Sequence, residues 1–247
     1  MAGHSKWANI RHRKGAQDAR RAKVFTKLLK EISVAARTEG GDPDSNPRLR
    51  LAIQNAKGVN IPKEIIERAI KKATGDDASD YLEVAYEGYA PNGVAVFIEC
   101  ATDNINRTVS SVRAAFSKGG GNLATNGSVE FLFERKGVFY FSLPPHMDME
   151  TLELAMIEAG AESIETQDEH IRVIAAMEDF GSVQKKLDEV AIEVEEANLQ
   201  RIPLNLVSLD DKQFVQSMWL IERLEDDDDV QKVYHNLKVS EDQVHLV

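Results

Sequence analysis

Ten lysines and arginines stand among the first 37 residues against two acids, Asp18 and Glu31, which gives that stretch a formal charge of +8 in a chain whose total is −11. Cationic side chains with so few acids among them are suited to neutralising phosphate oxygens and releasing the counterions held there. Lys6, Arg11, Arg13 and Lys14 flank Trp7 and His12, so a ring able to stack on a base sits among the charges. Arg20, Lys23, Lys27 and Lys30 continue the series at spacings that suit one side of a helix, and Arg21 adds a further charge next to Arg20 in the chain. All of these residues are candidate nucleic-acid contacts.

Other chemistry finds little support. The single cysteine, Cys100, lies in the apolar run 94–101, where a buried inert thiol fits better than a nucleophile; one cysteine forms no intramolecular disulfide and suits a reducing compartment. The six histidines are scattered and have no cysteine partner, so no metal spacing exists. Gly119-Gly120-Gly121 follows a helical pattern rather than a strand and reads as helix termination, not a dinucleotide fingerprint. The acidic run 226–229 reads as a solvated turn in preference to a cation site, and Asp103-Asn104 as a helix cap. No nucleophile, base and orienting group can be assembled. The expectation is a protein that is not an enzyme, with no cofactor, metal or small-molecule substrate. No apolar run approaches the roughly 18 residues of a membrane span, and no secretory signal is present, so a cytoplasmic location is expected.

The basic residues need a helix to position them. From about residue 15, at about 100° per residue, Val24, Phe25, Leu28, Leu29, Ile32, Ala35 and Ala36 fall in one sector and Arg20, Lys23, Lys27, Lys30 and Arg37 nearly opposite. A solvated face usually carries acids at i,i+4; their scarcity here favours a phosphate-facing stripe. The helix should stop near Gly40-Gly41. Asn46-Pro47 then reads as N-cap and first turn of a second helix ending near Gly58, and a third begins near Pro62 and closes at Gly75. Through residue 75 the charge is +10, leaving −21 for residues 76–247. The body should therefore be repelled by a phosphate backbone except where this first domain leads.

Beyond residue 80 the period changes to strand. Residues 81–89 and 93–102 are strands around the turn Pro91-Asn92-Gly93, 104–118 a helix and 128–134 a strand. Residues 137–199 read β-α-β-β-α-β, the ferredoxin-like order, and the tail adds strand, helix and strand at 204–209, 212–224 and 230–237. The expected class is α+β in three domains: a basic three-helix domain (1–79), an α/β domain (80–135 plus 203–247), and a ferredoxin-like α/β domain (136–202) inserted in it.

Several stretches are long enough to carry a family resemblance: GHSKWANIRHRK (3–14), NPRLRLAIQNAKGVNIPKEIIERAIKKATG (46–75), YEGYAPNGVAVFIECATDNINRT (86–108), GGNLATNGSVEFLF (120–133) and LEDDDDVQKVYHNL (224–237). The sequence resembles the YebC family over essentially its whole length. Bacterial members are described as probable transcriptional regulatory proteins, and a mitochondrial relative is a translational activator of cytochrome c oxidase. This chain departs from the family pattern at Ile65, where relatives carry Asn. The resemblance implies a three-domain, non-enzymatic cytoplasmic protein that binds nucleic acid, with promoter DNA assigned to some members and the ribosome to others.

The function expected is a nucleic-acid-binding regulator of gene expression, a DNA-binding transcriptional regulator working through the basic arm and helix. Two alternatives stay open: a translation factor bound to rRNA or tRNA on the ribosome, and a protein-interaction scaffold using the acidic domains.

Overall fold

The computed structural model describes residues 17–75, 81–145, 147–167, 170–240 and 242–246, with side chains from residue 21 onward apart from Gln167. The class is α+β: helices precede two α/β segments, each built on a four-stranded sheet. Contacts divide the chain into two units, one of Met1–Val34, Asp76–Glu134 and Ile202–Val247, the other of Ala35–Gly75 and Arg135–Arg201.

The chain opens with α1 (Gln17–Glu39), α2 (Pro47–Gly58) and α3 (Lys63–Thr74). α1 buries Ile32, Val34, Ala35 and Ala36, leaves Val24, Phe25, Leu28 and Leu29 half-buried, and ends at Gly40, whose φ of +97° an L side chain would resist. Asn46 then starts α2. Its side-chain oxygen accepts from the Leu49 N–H at 2.8 Å, while its amide donates to the carbonyls of Ala35 at 2.9 Å and Gly40 at 2.8 Å. One buried side chain thus closes the first helix and caps the second.

In the first unit, β1 (Leu82–Ala90) and β2 (Val94–Thr102) form an antiparallel hairpin around a turn at Pro91–Gly93, where Asn92 takes φ +64°. α4 (Ile105–Lys118) follows, capped by Asn104, whose side chain accepts from the Arg107 N–H at 3.0 Å. The short β3 (Asn122–Ala124) pairs with β1; Gly88 permits this, since a Cβ there would lie 2.6 Å from the Asn122 carbonyl and 2.7 Å from the Phe116 ring. Near the C-terminus come α7 (Asp211–Glu225) and β8 (Val230–His235), completing the order β3-β1-β2-β8.

β2 is buried on both faces. Val96, Ile98 and Cys100 pack with Val112 and Phe116 of α4 and with Phe214, Met218 and Ile221 of α7. On the reverse side Ala95 and Phe97 pack with Val129, Phe133 and Tyr234. The expected strand at 128–134 is corrected here. Residues Glu130–Leu132 form a single 3-10 turn, and the segment is held by Glu87, 2% exposed, whose carboxylate accepts from the N–H groups of Gly127 (2.6 Å), Val129 (2.7 Å) and Glu130 (3.0 Å). The expected strand at 204–209 reduces to one parallel bridge, Val207 to Leu237.

In the second unit, β4 (Phe133–Ser142), α5 (Met149–Glu158), β5 (Ala161–Gln167), β6 (His170–Ala176), α6 (Phe180–Glu189) and β7 (Glu196–Pro203) give the order β5-β6-β4-β7, a ferredoxin-like sheet. Residues 135–201 fall in the chain between the parts of the first unit that hold β3 and α7, so this segment is an insertion in sequence. Phe139 and Phe141 pack with Leu152 and Met156 of α5 and Val183 and Leu187 of α6. Along the edge strand β7, Asn55 of α2 donates to the Ala197 carbonyl at 2.8 Å and accepts from the Ala197 N–H at 3.0 Å.

Candidate nucleic-acid interface

The cations of α1 step along the helix onto a single turn of chain, residues 225–229, at the C-terminal end of α7. Lys23 Nζ donates to Asp226 Oδ1 at 2.7 Å and to the Asp226 carbonyl at 3.4 Å. One turn later Lys27 Nζ donates to the Glu225 carbonyl at 2.9 Å. One turn later again, Lys30 Nζ donates to the carbonyls of Asp228 at 2.8 Å and Ala101 at 3.0 Å, meets Asp229 Oδ1 at 3.4 Å, and lies 5.3 Å from the centre of the Tyr81 ring. Carbonyls at a helix C-terminus carry the negative end of the macrodipole, so this turn attracts cations through its backbone as well as its carboxylates.

The contacts deepen along the helix. The Lys23–Asp226 pair is 42% and 48% exposed, whereas Lys30 and Asp229 are 9% and 8% exposed. Asp229 is also held from the other side. Arg107 Nε and Nη2 donate to its Oδ2 at 3.0 and 2.8 Å, and Thr108 Oγ1 donates to the same oxygen at 2.8 Å. Burial pushes the Asp229 carboxyl up, but these hydrogen bonds and the charges of Lys30 and Arg107 outweigh it and hold the group below the ordinary carboxylate value. Nearby, burial and the charges of Asp227 and Asp229 push the Cys100 thiol up to about 12 against the pull of Lys27 and Lys30, so it is protonated at neutral pH.

Of the residues the sequence marks as contacts, Lys6, Trp7, Arg11, His12, Arg13 and Lys14 lie outside the described residues, as does the side chain of Arg20. Arg21 is exposed, its guanidinium 5.2 Å from the centre of the Phe25 ring. Lys23, Lys27 and Lys30 are brought together, but against the 225–229 turn of their own unit. That turn is correspondingly less solvated than its sequence suggests, since Asp229 is buried. Sequence reasoning did not single out Arg107. The signal was there in the opposite charges of residues 23–30 and 226–229, which only the fold brings together.

Among the described residues no helix is long and apolar enough to cross a membrane, and no group of three or more His, Cys, Asp or Glu side chains could hold a metal ion. Comparison with known proteins matches residues 5–76 to the TACO1/YebC protein N-terminal domain and residues 81–237 to the TACO1/YebC second and third domain. A relative from Amoebophilus asiaticus, named a probable transcriptional regulatory protein, is 58% identical over 96% of this chain and 98% of its own length. One of the same description from Geobacillus kaustophilus is 52% identical over 97% and 98%. The crystal structure of a conserved hypothetical protein from Aquifex aeolicus superposes with a TM-score of 0.82 at 42% identity, covering 91% of this chain and 93% of that one.

Proposed function

The chain belongs to the TACO1/YebC family, and from that premise we propose that it is a nucleic-acid-binding regulator of gene expression, a DNA-binding transcriptional regulator led onto its target by its basic N-terminus. The observation that carries this reading is the segregation of charge, +10 through residue 75 against −21 beyond it. Relatives named as probable transcriptional regulatory proteins support a regulator.

In this reading Lys6, Arg11, Arg13, Lys14, Arg20 and Arg21 meet phosphates while Trp7 and His12 supply rings. Lys23, half exposed, adds its charge at the near end of the helix. Lys27 and Lys30 enter as the anchors that hold α1 in place, since their ammonium groups are occupied by carbonyls of the acidic turn. Arg50, Lys57, Arg68, Lys71 and Lys72 on α2 and α3 are exposed and add to the positive charge of residues 1–75. The mixture of Lys and Arg suits phosphate contact over bidentate base reading.

The test is affinity for duplex DNA and for RNA across a salt series, with the full chain and with Arg11, Arg13 and Lys14 changed together to Gln. Removing three phosphate contacts should make the log–log salt slope on duplex DNA shallower by about 2.7. An unchanged slope overturns the arm's role. Preference for structured rRNA over every duplex would move the protein to translation.

A further inference from the structure

The first unit carries a second set of cations, most of them unmatched among the described residues. α4 holds Arg107, Arg113 and Lys118 and no acid, and only Arg107 is drawn into the Asp229 cluster. Along α7, Lys212, Trp219 and Arg223 fall by helical phase on the side opposite the buried Phe214, Ser217, Ile221 and Leu224. Arg113, Lys118, Lys212 and Arg223 are all exposed, and none has an ion-pair or hydrogen-bond partner among the described residues. At the centre of that outward side stands Trp219, 47% exposed, with Arg223 one turn beyond it.

Arg223 and Lys118 line the same cleft, floored by Val112, Ala115 and Leu224. Two acids share that cleft, but both are engaged. Asp226 holds Lys23, and Asp227 accepts from the Ser111 hydroxyl and, at 2.9 Å, from the Asp229 N–H. The three acids of α7 itself lie aside: Asp211 accepts from the Gln243 amide at 3.1 Å, Glu222 flanks the strip, and Glu225 falls by helical phase on the opposite side.

We propose that the outward layer of α4 and α7 is a binding site for an unpaired stretch of polynucleotide, with Trp219 stacking on a base and Lys118, Arg223 and Lys212 meeting the phosphates beside it. The proposal rests on nucleic acid being the protein's partner and assigns a contact outside the basic N-terminal region. Charge complementarity selects the occupant. A large aromatic ring set between cations that have no partner among the described residues offers a π-face and positive charge together, which single-stranded nucleic acid uses and a protein surface need not. A rigid duplex keeps its bases stacked and gains only the charge.

Trp7 and Trp219 are the only tryptophans, so in the full chain carrying Trp7→Phe the fluorescence reports Trp219 alone. Oligo-dT and oligo-U of equal length should quench it, and a blunt duplex should not. Lys118→Glu with Arg223→Glu should make the salt slope on oligo-dT shallower by about 1.4. Trp219→Leu should weaken single-strand binding roughly 5- to 150-fold, and Trp219→Phe should recover part of it. Thermal melts of each variant, expected to match the parent, exclude misfolding. Quenching by both oligonucleotides supports the site, and quenching by one alone supports it and names its polymer. Absence of quenching, or quenching that the charge reversals leave unchanged, overturns it. The Arg11, Arg13 and Lys14 variant separates the two readings: if it loses duplex affinity while no oligonucleotide quenches Trp219, this site fails alone. If it binds duplex as the parent does while quenching persists, the arm fails alone.

Discussion

The two cationic surfaces of the first unit carry the same charge and use it oppositely. On α1, Lys23, Lys27 and Lys30 end on carbonyls and carboxylates, with Lys30 almost withdrawn from solvent. On α4 and α7, Lys118, Lys212 and Arg223 end in water. The difference lies in what the fold sets opposite each helix. α1 faces the carbonyl-rich end of α7, whose partial charge adds to that of four consecutive aspartates. The outward side of α7 has no such partner among the described residues. Charge read along a chain gives sign and position. Whether it is free for a ligand depends on what lies across the gap.

Several measurements would break or sharpen that contrast. The largest effect should come from Asp229→Ala, which strips Lys30, Arg107 and Thr108 of their common acceptor and should cost about 3–5 kcal/mol in urea unfolding. A loss near zero would make the α1 contacts no more structural than those of the outer layer. Lys30→Met keeps the aliphatic stem but leaves the Ala101 and Asp228 carbonyls short of a donor, and should cost about 1–3 kcal/mol.

Acidity gives a third test. The Asp229 carboxyl is held below its ordinary value, so its stabilisation is complete above the unfolded value of about 3.9 and is lost as pH falls through the folded one. Thermal melts below pH 4 should therefore show a steeper decline for the parent than for Asp229→Asn. Lys23→Ala, breaking a half-exposed pair, should cost about 0–1 kcal/mol, and less at high salt. Smallest of all, Lys118→Ala and Arg223→Ala should leave stability within about 0.5 kcal/mol, as exposed cations without partners must.

How much of this was legible in the sequence depended on whether the cause was local. Asn46-Pro47 and Asn104 announce their helices because a cap acts over three residues, and the ferredoxin-like order is visible because its six elements alternate in period. Residues 128–134 misled for a definite reason. Val129 and Phe133 are buried as strand residues would be, but Glu87, some forty residues earlier, holds the backbone in a turn. β3, at three residues, is too short for any period to show. At the basic face, the apolar sector of α1 was readable, yet Lys27 and Lys30 find their carbonyl acceptors 198 residues away. No test of i,i+4 neighbours could have reported that. The α7 strip could have been found, since Lys212, Trp219 and Arg223 share a helical phase, but the far denser charge of the N-terminus overshadows it.

Asn55 has a bearing on how these molecules behave in a crowd. β7 is an outer strand of the second sheet, and an outer strand offers unpaired amides to any extended chain that drifts alongside, including the same strand of another copy. The Asn55 side chain presents one acceptor and one donor in the arrangement a neighbouring peptide unit would, and it occupies both backbone groups of Ala197. A helix thereby supplies one link of a missing ladder while adding no strand that could itself be extended. Replacing Asn55 by Leu would fill similar space but leave both backbone groups of Ala197 without their partner. The expected outcome is a protein that still folds yet gains a concentration-dependent tendency to form fibrils, visible as thioflavin fluorescence that the parent lacks.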